Sequence, residues 1–397
     1  MAFSELISSL APSATLGISQ KVRDLKAQGR DVIGLTLGEP DMDTPQHIRD
    51  AAKKALDEGY THYPPVPGYP ALRDAIVQKL KRDNGLTYDP AQIVVSTGAK
   101  QSLYNIAMAV LNPGDGALLV APYWVSYAAM VHLARAEAQV VVTGIENNYK
   151  ITPEELEENM KENTRLVFLT TPSNPTGSMY SEEELAALVK VLEKYPYAYI
   201  ISDEIYEHIT FGLKHVSLGT FESIADRVIT VNGFSKGFAM TGWRLGYIAA
   251  PLDIAKMCNK LQGQCTSGAN AFAQMGAVAA LNESLQPTFD MRDEFHKRRD
   301  MMFDKLSAID GLKVNKPDGA FYFYPDFINF LGKSTAKGQK IESIDELCLY
   351  LIDEVGLALV PGSAFGTKSH ARISYAYSVD MLNDALGRLK QGLSTLS

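Results

Sequence analysis

Between residues 93 and 249 the chain switches repeatedly between two periods. Short apolar runs at 93–98, 117–121, 138–143, 166–170, 197–202, 227–231 and 245–249 alternate with stretches whose apolar residues recur three and four positions apart. Runs that are apolar at nearly every position are strands buried on both faces, and the amphipathic stretches between them supply the helices that cover those faces. The pattern predicts an α/β architecture on a mostly parallel sheet.

Local signals mark the helices. Thr44-Pro45 reads as an N-cap and a first-turn proline, followed by Ile48, Ala51, Ala52, Ala55 and Leu56 at helical spacing up to Gly59. Leu72, Ala75, Ile76 and Leu80 repeat that spacing and stop at Asn84-Gly85. Thr152-Pro-Glu-Glu155 and Ser181-Glu-Glu-Glu184 are capping boxes that start crossover helices. After about residue 290 the character changes. Met291 to Leu306 is a highly charged helical stretch, and Val314, 321–324, 357–360 and 373–376 read as shorter strands among Gly and Pro turns. The expected organisation is an N-terminal arm over 1–45 that completes part of the small domain, a large domain over 46–290, and a smaller α+β domain over 291–397. Asn329 to Ser343, carrying Gly332, Lys333, Lys337, Gly338 and Lys340, is expected to be an exposed loop.

A chain of 397 residues is long enough for two such domains. It has no run of about 18 apolar residues, so no membrane span is expected. Its start, Met1-Ala-Phe-Ser-Glu5, lacks the positive charge and apolar core of a signal peptide, and three cysteines without metal spacing suit a reducing compartment, so a cytoplasmic location is expected. A net charge of −8 argues against nucleic acid as a partner and means that an acidic substrate must be captured by local positive charge.

In an open α/β sheet ligands sit beyond the carboxyl ends of the strands, so the residues that follow the apolar runs carry the chemistry. Lys236 and Arg244 lie eight positions apart in Asn232-Gly-Phe-Ser-Lys236-Gly-Phe-Ala-Met-Thr-Gly-Trp-Arg244. The amine can form a Schiff base with an aldehyde, and the guanidinium can pair bidentately with a phosphate that small neighbours let the backbone approach. Together they read as a pyridoxal-phosphate lysine; a lysine and an arginine taken alone are more often a solvated charge pair. Ser96-Thr-Gly98-Ala99-Lys100 ends one run and starts a helix, giving an anion site or a plain βα turn. It is neither a Walker A sequence nor a G-x-G-x-x-G fingerprint, and Pro361 to Ser369 misses the Walker A spacing by one residue, so nucleotide binding loses its main support. Asp203 ends the run at 197–202, where a carboxylate can hold a pyridine nitrogen protonated or can simply cap a turn, and the Tyr206 phenol follows three residues on. Thr171-Pro-Ser-Asn174-Pro-Thr-Gly177 is a rigid turn that either aims the Asn174 amide inward or lies on the surface.

Taken together, Pro-x-Asn174-Pro-x-Gly, Asp203-x-x-Tyr206, Ser235-Lys236 with Arg244, and Ala371-Arg372-Ile-Ser-Tyr resemble, in order and distance, the class I/II aminotransferases of pyridoxal-phosphate (PLP) fold type I. The likeness runs from Leu37-Gly38-Glu-Pro-Asp41 to Arg372, and Thr-Gly-Trp-Arg with Pro-Tyr-Trp124-Val-Ser-Tyr brings it nearest to the bacterial aspartate aminotransferase branch. The resemblance implies that Lys236 carries the cofactor and shuttles the substrate proton. Asp203 then pairs with the ring nitrogen, Asn174 and Tyr206 with the ring 3-oxygen, and Trp124 stacks on the ring. Arg244, with backbone N–H groups over Gly98, Ala99 and Lys100, is expected at the phosphate. The family often has a serine three residues before the lysine; Gly233 stands here, which shifts weight onto the backbone and Ser235. Arg372 is the expected α-carboxylate clamp, assisted by the Gly38 N–H. Tyr63 matches a tyrosine that reaches the partner subunit's phosphate, which implies a homodimer with shared active sites; the alternative is a core tyrosine.

For the substrate, Lys100 at a helix start is the candidate for a distal carboxylate, with the Thr15 hydroxyl beside it. The expected reaction is amino transfer from aspartate to 2-oxoglutarate. An aromatic amino acid or prephenate aminotransferase of the same branch is the main alternative. A β-lyase or cyclopropane-forming relative is a further one, and a PLP-binding regulator would need a DNA-binding domain, whereas fewer than 40 residues precede Leu37.

Overall fold

A computed structural model describes residues 3–397, so the first two residues of the Met1–Glu5 start lie outside it. Twelve strands form three sheets: β1 (Ile33–Gly34), β2 (Ile93–Ser96), β3 (Gly116–Ala121), β4 (Glu137–Val142), β5 (Thr164–Thr170), β6 (Tyr199–Asp203), β7 (Val228–Gly233), β8 (Gly246–Ala249), β9 (Tyr322–Phe323), β10 (Leu357–Ala358), β11 (Val360–Pro361) and β12 (Ala371–Ser374). Seven of them make the central sheet, in the order β2-β8-β7-β6-β5-β3-β4. All neighbours in it are parallel except that β8 runs antiparallel to both β2 and β7. The sheet is thus mostly parallel, as its apolar strands require.

The reversal of β8 has a local cause. Only the Lys236 segment and a short 3₁₀ turn, Thr241–Trp243, separate β7 from β8, too little for the crossover helix that a parallel return needs. Helices cover both faces. On one side Ala99–Val110, Ser126–Leu133 and Leu252–Cys265 pack Leu103, Ile106, Met130 and Ile254 against the sheet. On the other, Pro153–Asn159 and Glu182–Leu192 bring in Leu156, Leu185 and Leu188. Both capping boxes form, with Thr152 accepting from Glu155 N and Ser181 from Glu184 N. At the outer edge β4 buries only alternate residues and leaves Val140 and Val142 exposed.

A second body gathers around Phe295, Phe321, Phe323 and Tyr375, together with Ile33 and Leu35 from the N-terminal segment. The segment is tied in because β1 pairs in parallel with β10. The change of character at residue 290 falls inside a continuous helix, Gln286–Ser307, which begins five residues before the charged stretch read from the sequence. The 329–343 segment is exposed only in part: Phe330, Thr335 and Ile341 are buried and anchor it, while 336–340 stay at the surface. Thr44 does not cap the helix Gln46–Asp57, whose N-cap position is Pro45; its hydroxyl instead donates to the Ala239 carbonyl at 2.6 Å, in the turn after Lys236. Among the described residues no helix is long and apolar enough to cross a membrane.

Candidate active site

Strands β2, β3, β5, β6 and β7 all point the same way, so the residues after them meet along one edge of the sheet. Because β8 is reversed, it begins where the others end, and Arg244 just before it arrives at the same edge. A cleft of about 240 Å³ opens there. Of the residues singled out from the sequence, Thr15, Gly38, Ala99, Lys100, Trp124, Asn174, Asp203, Tyr206, Ser235, Lys236, Arg244 and Arg372 line it. Gly98 and Tyr63 do not.

Lys236 lies in the cleft floor, its Nζ donating to the Gly38 carbonyl. Loss of water lowers its pKa to about 8; Arg372 and Arg244 push the same way, against Glu39 and Asp203. Gly38 therefore meets the lysine through its C=O, and what its own lack of a side chain provides is room, since a Cβ there would stand 2.6 Å from the Tyr322 hydroxyl. Asp203 is buried at the end of β6. It accepts from the Tyr127 hydroxyl at 2.5 Å and from Ile205 N at 3.3 Å. Burial raises its pKa to about 6, with the Tyr127 bond acting in the opposite direction. The Tyr206 phenol is buried against the Tyr322 hydroxyl at 2.8 Å, and burial holds it protonated.

At the start of the helix Ala99–Val110, no side chain caps the first turn. The Gly98 N–H is already spent on the Ser96 carbonyl at 2.8 Å, so the expectation that it is a free donor fails. The free donors fall to Ala99 and Lys100, the helix's first two N–H groups. Gly98 serves by its missing side chain: a Cβ there would lie 2.5 Å from Arg244 Nη2. Arg244 itself adopts φ +56° and donates to the Thr241 carbonyl at 2.8 Å. Gly233 has an equally physical reason. A Cβ at that position would lie 2.9 Å from Gly246 Cα, so the serine common in the resembling family has no room beside β8.

Arg372 is buried, its guanidinium over the Tyr322 and Phe365 rings at 4.6 and 5.2 Å. It donates to Asn174 Oδ1 at 3.0 Å and to the Thr36 carbonyl at 2.7 Å, while its buried Nε has no partner among the described residues. Taking Arg372 on Oδ1 leaves Asn174 with its two N–H donors. The turn that carries Asn174 is buried, because Gly177, at φ +70°, packs against Pro317 and Gly319. Lys100 stands at the rim, its ammonium 4.9 Å from the Trp124 ring. Its pKa is lowered by partial loss of water and then by Arg244. The Thr15 hydroxyl lies 3.1 Å from that of Ser13. Tyr63 is 92% exposed, which rules out the core alternative.

Several lining residues escaped sequence reasoning: Tyr127, Thr170, Tyr322, Leu16 and Leu37. Tyr127 and Leu37 had left a signal, the first three residues after Trp124 and the second beside Gly38, each inside a quoted run. Elsewhere, Glu204, Glu207 and His215 come together behind the Asp203 turn. The cation there is the Lys79 ammonium, buried against Glu207.

The site fits pyridoxal phosphate in chemistry. It offers an amine of lowered pKa, a buried carboxylate for a ring nitrogen, uncapped helix N–H groups beside a guanidinium for a phosphate, and a second guanidinium, Arg372, for a carboxylate.

Residues 30–389 match the family model for class I and II aminotransferases. The chain is 43% identical over 400 residues to an aspartate/prephenate aminotransferase of Cereibacter sphaeroides, covering all of both proteins. It is 44% identical to an aspartate aminotransferase of Geobacillus stearothermophilus, covering 98% of each. Its fold superimposes on the crystal structure of the aspartate aminotransferase from Rhizobium meliloti with a TM-score of 0.97, at 38% identity and over the full length of both chains. With the match spanning nearly all its length and the cleft chemistry in agreement, the chain belongs to the class I and II aminotransferase family.

Proposed function

We propose that the protein transfers the amino group of aspartate to 2-oxoglutarate, giving oxaloacetate and glutamate, in two half-reactions that use pyridoxal 5′-phosphate. When bound, this cofactor supplies an aldehyde for the amine and a cationic ring that draws electrons from the substrate α-carbon. Lys236 holds the cofactor through Nζ and, once the substrate amine displaces it, takes the α-proton and returns it as general base and acid. Asp203 keeps the ring nitrogen protonated, Asn174 and Tyr206 donate to the ring 3-oxygen, and Trp124 covers a ring face. Ala99, Lys100, Ser235 and Arg244 hold the phosphate, with the Arg244 guanidinium seated in the space that Gly98 leaves, and Tyr63 of a second copy completes the site in a homodimer. Arg372 pairs with the α-carboxylate beside Gly38, and Lys100 with the distal carboxylate beside Thr15.

The observation that carries this reading is that the Lys236 amine, the Asp203 carboxylate and the Arg372 guanidinium line one cleft. A second acceptor class, prephenate, is supported by one feature. Leu16 and Leu37 line the cleft with exposed apolar surface that a ring can cover, and prephenate carries a second carboxylate as aspartate does.

The test is a panel of single half-reactions followed by the cofactor's absorbance change. Aspartate and glutamate convert the cofactor fastest. Lys100→Ala lowers kcat/KM for aspartate about tenfold or more, as loss of a charge-assisted bond does, and leaves alanine and phenylalanine much less affected. Equal losses for all four amino acids would remove Lys100 from the distal-carboxylate role.

A further inference from the structure

Asp203 is buried, yet it accepts fewer hydrogen bonds than an ionised carboxylate can take. Among the described residues only one side chain donates to it, Tyr127, whose hydroxyl is 2.5 Å from Oδ2; the Ile205 N–H serves Oδ1 at 3.3 Å. The Tyr127 ring is buried and fixed, edge-on to Trp124 at 5.5 Å and tilted on Phe168 at 4.8 Å. Its oxygen also lies 2.7 Å from Thr170 Oγ1. A phenol has one proton, and a carboxylate can only accept, so Tyr127 donates to Asp203 and Thr170 donates to Tyr127. The result is a two-donor chain from the end of β5 to the end of β6.

We propose that Tyr127, backed by Thr170, is a positioning residue for the amino transfer: its hydroxyl keeps Asp203 ionised and aimed so that the carboxylate can hold the ring nitrogen of the cofactor. The inference rests on the pyridoxal-phosphate reading above. A carboxylate with about four lone-pair sites, two of them occupied by Tyr127 and Ile205, retains acceptor capacity for the ring N–H. The groups that bear on Asp203 are few. Burial raises its pKa, the Tyr127 hydroxyl and the Ile205 N–H lower it, Glu204 raises it and Lys236 lowers it, while the Tyr206 phenol facing it stays neutral. Removing the Tyr127 hydroxyl therefore moves the Asp203 titration to higher pH and leaves less carboxylate near neutrality. The ring and its packing stay in Tyr127→Phe, so the change isolates the hydrogen bond.

The experiment titrates apoprotein with pyridoxal phosphate by absorbance and tryptophan fluorescence from pH 5 to 8.5, in wild type, Tyr127→Phe, Thr170→Val, Asp203→Asn and the double variant Tyr127→Phe/Asp203→Asn. Tyr127→Phe weakens binding about tenfold at pH 7, and its pH midpoint lies above that of wild type. Thr170→Val shifts both in the same direction by less. The double variant binds no worse than Asp203→Asn alone, because the hydroxyl acts only through the carboxylate. A folded Tyr127→Phe protein with the affinity and pH profile of wild type, or losses that add in the double variant, overturns the role of Tyr127. Wild type that binds no pyridoxal phosphate overturns the cofactor reading itself, a result that the wild-type titration alone reveals.

Discussion

Lys236 can act as a nucleophile near neutrality only because of its surroundings. An ordinary lysine has a pKa of about 10.4 and is almost wholly protonated at pH 7. In the cleft, loss of water disfavours the ammonium, Arg372 and Arg244 repel it, and the pKa falls to about 8 even with Glu39 and Asp203 opposing. Since the neutral amine is the attacking form, covalent capture of pyridoxal phosphate by the apoprotein accelerates as pH rises and levels off above about 8. Stopped-flow absorbance across pH 6 to 10 reads this directly. A rate still climbing steeply at pH 10 would mean that the amine is no different from a solvated one. Lys236→Ala retains no cofactor after borohydride reduction, which separates covalent capture from simple binding.

The helix Pro70–Lys79 shows where reading a sequence stops. Its buried face, Leu72, Ala75 and Ile76, follows from spacing alone, and so do the strand ends that carry Asp203, Asn174 and Lys236, because each sits in a local run of distinctive residues. Lys79 lies on that same buried face, against every expectation for a lysine, and its counter-ion Glu207 is 128 residues away. No local signal links the two, just as none links Arg372 to Thr36 or Tyr127 to Asp203. Burial would raise the Glu207 pKa, but Lys79, His208 and His215 outweigh it and hold the carboxyl low. Asn84 completes the arrangement, accepting from Lys79 at 2.7 Å and donating to Glu207 at 2.8 Å. Lys79→Met leaves Glu207 buried without its cation, at a cost of about 3–5 kcal/mol, while Lys79→Met with Glu207→Leu recovers a large share. Denaturant unfolding of the three proteins at one concentration measures it. A single-variant loss under about 1 kcal/mol, the value of an exposed pair, would show that the pair contributes little.

At the scale of the whole molecule, the cleft is assembled from distant parts of the chain. Thr15 and Gly38 come from the N-terminal segment, Tyr322 and Arg372 from the C-terminal body, and the rest from the edge of the central sheet. Arg372 binds the Thr36 carbonyl and Lys236 the Gly38 carbonyl, so the N-terminal segment is clasped by a residue from each body. Tyr63 stands apart from this assembly. Its ring is 92% exposed on a shallow surface lined by Tyr60, Pro64 and Phe272, and among the described residues no side chain hydrogen-bonds to it. A tyrosine so placed is explained if it completes the phosphate site of a second copy, and hybrid dimers decide the matter. Lys236→Ala has no amine, and Tyr63→Ala lacks the phenol. In a hybrid of the two, one site has neither residue and the other has both, if Tyr63 acts across the interface. Mixing and refolding the two variants then regenerates about half of the wild-type activity per hybrid dimer, well above either parent. If Tyr63 serves its own chain, every site in the hybrid stays defective, and activity does not exceed that expected from the Tyr63→Ala subunits present.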